Sequence, residues 1–146
     1  MNLRSLSAAF LILSLPVLAS ASAPAPTIVT PDQTQWTAAA NMGSGVEMAV
    51  LFGNPAASGP FVLRLRLQDG TKFPPHYHND TERVTVISGT LLVGLGDTMN
   101  ESQMTALPAG SFVSIPVGVH HYAMTRGVTV IQIDGNGPFE MTPVKP

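Results

Sequence analysis

The sequence predicts an all-β domain, a sandwich or a closed barrel, with helix only a minor component. Beyond Trp36 no stretch keeps apolar residues at i, i+3, i+4 and i+7 for three turns between breakers. What recurs instead is a series of short β-type runs at 47–52, 61–67, 83–88, 90–95, 112–115, 121–125 and 128–134. Composition agrees: 13 Gly and 13 Pro in 146 residues, with 45% hydrophobic and only 11% charged residues, suit short strands and many turns.

Turn residues fall between the runs: Gly53-Asn54-Pro55, Ser58-Gly59-Pro60, Asp69-Gly70, Ser88-Gly89, Gly96-Asp97, Pro108-Ala109-Gly110 and Arg126-Gly127. Within 61–67, Leu63, Leu65 and Leu67 alternate with Arg64 and Arg66, so one face of that strand is buried and the arginines point outward. The length allows one compact domain with a real core.

The N-terminus differs from the rest. Arg4 precedes an apolar stretch from Leu6 to Leu18, and Ala19-Ser20-Ala21 offers a small-residue cleavage site. That order predicts a signal peptide over 1–21, because the apolar run is shorter than the ~20 residues a spanning helix needs. Residues 22–35, rich in Pro, Ala and Thr, read as a flexible tether, and the domain is expected over 36–146. The expected location is therefore periplasmic or secreted, with no membrane attachment after cleavage.

A net charge of −2 provides no basic stripe to neutralise phosphates, which sets a nucleic-acid partner aside. The chain has no cysteine, so any metal must be held by His, carboxylate or water. Low charge and many apolar strand residues lead us to expect a homodimer.

All four histidines lie in two short segments, as His76 and His78 and as His120 and His121. Two imidazoles two residues apart on an extended chain point to the same side, and Pro74-Pro75 enforces the extended approach. Glu82 follows a turn-prone Asn79-Asp80-Thr81 that can swing its carboxylate toward the same point. Asp80 keeps the parity of the two histidines and is the alternative carboxylate if the strand stays straight. Alternation sends only one of His120 and His121 inward.

These segments resemble the two motifs of the cupin family. Gly70, five residues, His76-Tyr77-His78, three residues, Glu82, six residues and Gly89 are similar to the first. Gly110, five residues, Pro116-Val117-Gly118, two residues and His121 are similar to the second, except that Thr125 stands where an Asn is frequent. The resemblance implies an antiparallel jelly-roll β-barrel with one divalent metal inside, held by His76, His78, Glu82 and His121. It selects His121 over His120. The ion could be Fe, Mn, Zn, Cu, Ni or Co.

Two functions follow as expectations. The first is a mononuclear metal enzyme of oxidoreductase or dioxygenase type, acting on a small organic substrate with Glu82 as the catalytic carboxylate. The second is a module that captures a metal or small ligand without turnover. The side chains expected to face inward, among them Leu65, Phe73, Phe112 and Ala123, are apolar, and Tyr122 and Gln132 remain as polar candidates.

Overall fold

The computed structural model describes residues 25–145. The expected signal peptide and the first residues of the expected tether lie outside the described residues. Among the described residues nine strands form: β1 (Thr37–Ala38), β2 (Val46–Phe52), β3 (Gly59–Leu67), β4 (Lys72–His78), β5 (Glu82–Leu95), β6 (Thr105–Pro108), β7 (Phe112–Ile115), β8 (His121–Gly137) and β9 (Met141–Pro143). Every pairing is antiparallel. The strand path is β1-β2-β3-β8-β4-β9, and β5 pairs with β6, β7 and β8. Helix among the described residues is confined to three 3-10 turns of three residues each. The result is a curled antiparallel sheet, the jelly-roll barrel that the sequence predicts.

The curl comes from two long strands. β5 has 14 residues and β8 has 17. The first part of β8 lies beside β4, its later part beside β3, and β5 follows it along both. Gly89 in β5 and Gly127 in β8 have φ of 76° and 75°. The β5–β8 register slips on both sides of Ser88. The turns expected at Ser88-Gly89 and Arg126-Gly127 are thus bends inside continuous strands, because a β-bulge absorbs a left-handed glycine without reversing the chain. A Cβ on Gly89 would lie 2.5 Å from both Thr129 Oγ1 and the Val128 carbonyl oxygen.

Four strands, β1, β4, β6 and β9, were not expected from the sequence. β4 runs through Pro74 and Pro75, and its register against β8 slips between Phe73 and His76, where the prolines have no N–H to give to the ladder. β6 is four residues ending in Pro108, paired with Thr90 to Val93.

Leu63, Leu65 and Leu67 are buried, and Arg64 and Arg66 face outward as alternation requires. Val46, Leu67 and Val86 belong to the closed part of the core, with Leu67 fully buried. Phe112 departs from expectation and is 60% exposed. It lies opposite Thr85 on the outer face, so Val113 and Ile115 take the inward positions of β7. Before β1, Thr34 is buried and the Trp36 ring lies 4.6 Å beneath the Arg66 guanidinium, which also pairs with Glu47 at 2.7 Å.

Candidate metal centre

The strand ends bring four side chains to the bottom of one cavity. His78 ends β4, Glu82 begins β5 and His121 begins β8. His76, two residues inside β4, is the direct cross-strand partner of His121. All four are buried, at 2% to 7% exposure. The turn 79–81 redirects the chain so that Glu82 faces the histidines. Asp80 does not join them, because its carboxylate accepts the Asn136 N–H at 2.7 Å.

Each histidine is oriented by its Nδ1. His76 Nδ1 lies 2.7 Å from the Pro74 carbonyl, His78 Nδ1 2.8 Å from that of Glu140, and His121 Nδ1 3.0 Å from that of Val119. A carbonyl can only accept, so each Nδ1 carries the proton and each Nε2 presents a lone pair. Ligand nitrogens of the three rings lie within 4.8 Å of one another. Nitrogens each ~2.1 Å from one ion lie roughly 3 to 4 Å apart, so a small inward shift of the rings would let them share a cation.

Glu82 Oε2 stands 3.3 Å from His121 Nε2 and 3.6 Å from His78 Nε2. His78 Nε2 is buried with no hydrogen-bond partner. Lone pairs and a carboxylate that converge in a buried place repel one another unless a cation lies among them. The donor set therefore fits a divalent ion.

Electrostatics divides the rings. Burial, helped by the neighbouring His121 and His78, pushes His76 down to about 4. Burial also lowers His78. Burial opposes protonation of His121 as well, but the Glu82 carboxylate 3.3 Å from its Nε2, which a protonated ring would bond, and the Val119 carbonyl outweigh that and raise it. His121 is the ring most ready to hold a proton in place of a metal.

Outside these four side chains, His120 points away from the cavity. Its Nδ1 lies 2.6 Å from Asp97 Oδ1, and its ring stacks on Tyr77 at 5.0 Å. Thr125 ties down the turn before β4: its hydroxyl donates to the Gln68 carbonyl at 2.6 Å and accepts the Thr71 N–H at 3.0 Å. Neither polar candidate lines the cavity: Tyr122 is fully buried with its hydroxyl on the Asn100 carbonyl, and Gln132 accepts from Arg64.

Sequence reasoning missed the strap that follows β8. Phe139 stacks on His78 at 4.4 Å, the Glu140 carbonyl orients that ring, and β9 pairs with β4. Asn79 binds the strap twice, donating to the Pro138 carbonyl and accepting the Glu140 N–H, both at 2.9 Å. The period-2 spacing of Phe139, Met141 and Pro143, all facing the cavity, was the available signal.

The cavity has a volume of about 530 Å3 and holds the four side chains at its base. Among the described residues, no helix is long and apolar enough to cross a membrane.

Solved structures share this architecture. An RmlC-like cupin from Shewanella frigidimarina NCIMB 400 is 17% identical, with 77% of this chain and 91% of that one covered at a TM-score of 0.60. KdgF from Halomonas sp. is 15% identical over 77% and 94% at 0.60. The polyketide cyclase RemF from Streptomyces resistomycificus is 15% identical over 84% and 87% at 0.69. At such identities the likeness establishes the fold, which is that of the cupins. No curated protein matches the sequence. Residues 27–146 match the model of a family described as a domain of unknown function, DUF4437, and the chain belongs to that family.

Proposed function

We propose that this chain is an exported mononuclear metalloenzyme of the oxidoreductase or dioxygenase type, with His76, His78, Glu82 and His121 as ligands and a small organic substrate. The observation that carries the reading is the set of three inward Nε2 lone pairs converging with a buried carboxylate, one of them without a partner. A bound divalent ion would supply Lewis-acid or redox chemistry to an oxygen-bearing substrate. The protein's own part is to hold the rings by three backbone carbonyls and to exclude bulk water with an apolar wall. Glu82 is the sole carboxylate facing the cavity among the described residues, and it serves as the group that takes a proton from substrate. Export rests on the N-terminal pattern alone.

Glu82→Gln separates the roles. It keeps an oxygen at the site and removes the charge and the base. Dioxygen uptake by metal-loaded protein, screened against small phenols, ketones and acids, should fall by more than about tenfold in this variant while metal content falls less. No uptake by either form with any substrate would reject the enzyme. A second reading, ligand capture without turnover, is favoured by the absence of any further acid or base on the cavity wall among the described residues.

A further inference from the structure

The chemistry of the cavity wall names the class of molecule that fits above the ligands. Leu63, Leu65, Leu91, Val93, Ile131 and Ile133 form much of it. Met42, Met48 and Met141 add three flexible thioethers, none of them fully buried, which adapt to apolar shapes of different outline. Among the described residues no Lys, Arg, Ser, Thr, Tyr or Gln side chain lines the cavity. Apart from the three histidines and Glu82, its one polar side chain is the exposed Asn41.

The cations that could serve an anionic ligand are directed elsewhere. Arg64 donates to Gln132, Arg66 to Glu47 and Lys72 to Glu101, all on the outside, while Arg83, Arg126 and Lys145 are exposed and line no part of the cavity. A divalent ion with the Glu82 carboxylate would leave one positive charge at the base, enough to balance one anionic donor. A second carboxylate farther up the cavity would lose its water and meet no partner, and sugar hydroxyls would fare the same way. At ~30 Å3 per water-sized group, the volume has room for roughly fifteen to twenty such groups, far more than a two-carbon acid fills.

We infer that the site binds an uncharged organic molecule with a bulky apolar body and a single oxygen donor at one end, of the phenol or ketone type, and discriminates against dicarboxylates and sugars. The oxygen anchor rests on the metal reading above. The apolar body rests on the wall alone.

The test uses the full chain, its metal content measured first, loaded with Co(II) and titrated calorimetrically with 2-naphthol, succinate and glucose. The expected result is naphthol binding at least about tenfold tighter than either of the others, with a negative heat-capacity change from apolar burial. Met141→Lys, at a position 40% exposed on the cavity rim, should weaken naphthol and strengthen succinate, each several-fold. If circular dichroism shows that variant misfolded, Met42→Lys makes the same test from another element. Succinate or glucose binding as tightly as naphthol to the loaded protein would overturn the ligand class and leave the metal reading standing. Failure to retain Co(II) would instead overturn the metal reading and, with it, the oxygen anchor.

Discussion

The ring centroids of His76 and His121 lie 4.2 Å apart, yet their acid–base behaviour diverges because burial dominates at His76, whereas the Glu82 carboxylate 3.3 Å from His121 Nε2 favours a proton there. In the metal-free protein, His76 stays neutral down to about pH 4, whereas the unfolded chain protonates its imidazole near 6.5. Unfolding therefore takes up a proton between those values, and this group's contribution makes stability fall as pH drops from about 6.5 to about 4. At about 1.36 kcal/mol per pH unit the loss is on the order of 3 kcal/mol at most. His121 acts oppositely: its contribution is complete below 6.5 and is lost as pH rises through its raised value. Urea titrations of metal-free protein at pH 7 and 4.5 should show the acid loss, and His76→Phe should reduce it. An equal loss in the variant would reject His76 as the source. A bound metal would remove the compromise, because ligation requires every ring to be unprotonated at the ligating nitrogen, so affinity should fall on acidification, with His121 the first to be lost.

At the scale of elements, the ligand geometry depends on two devices. One is the glycine bend: Gly89→Ala must place a Cβ against Thr129 and the Val128 carbonyl at a φ of 76°. The expected destabilisation is at least about 2 kcal/mol, measured by denaturant midpoint. A neutral result would show that the bulge relaxes freely. The other device is the strap after β8. Asn79→Ala removes both of its bonds to the strap, and the Glu140 carbonyl that orients His78 is then free to drift. Metal affinity should fall roughly tenfold with little change in fold stability, by analogy with other groups that orient a ligand. Competition against a chelator reads this directly.

The convergence of His76, His78, Glu82 and His121 was legible because Pro74-Pro75 and alternation fix the side of His76 and His78, and the spacing resembles known motifs. Phe112 was misjudged because its facing depends on a one-residue phase in a four-residue strand, which the sequence cannot set without knowing its partner, Thr85. β4 was hidden by its prolines, and the strap because its period-2 signal spans only Phe139, Met141 and Pro143. Gly89 and Gly127 looked like turns because a left-handed glycine serves bulges and reversals alike.

For the whole molecule, most of the core also lines the cavity, Leu63, Leu65, Leu91, Val93, Ile131 and Ile133 among it, so stability and binding draw on the same side chains. Ile87 on β5 and Phe112 on β7 stand 43% and 60% exposed on neighbouring strands. A homodimer is expected to cover such residues. Light scattering at ~50 μM should give twice the chain mass, and Phe112→Glu should return it to one; a wild-type monomer at that concentration would reject the pairing.

The most direct measurement of the central claim is the metal content of purified protein after exhaustive dialysis at neutral pH, compared between wild type, His121→Ala and His120→Ala by elemental mass spectrometry. The prediction is about one divalent ion per chain in wild type and in His120→Ala, with less than about a tenth of that in His121→Ala, since losing a ligand should cost more than the ~10–100-fold of losing a supporting group. Wild-type protein that retains no ion from any divalent metal offered, or equal retention in His121→Ala, would contradict the account.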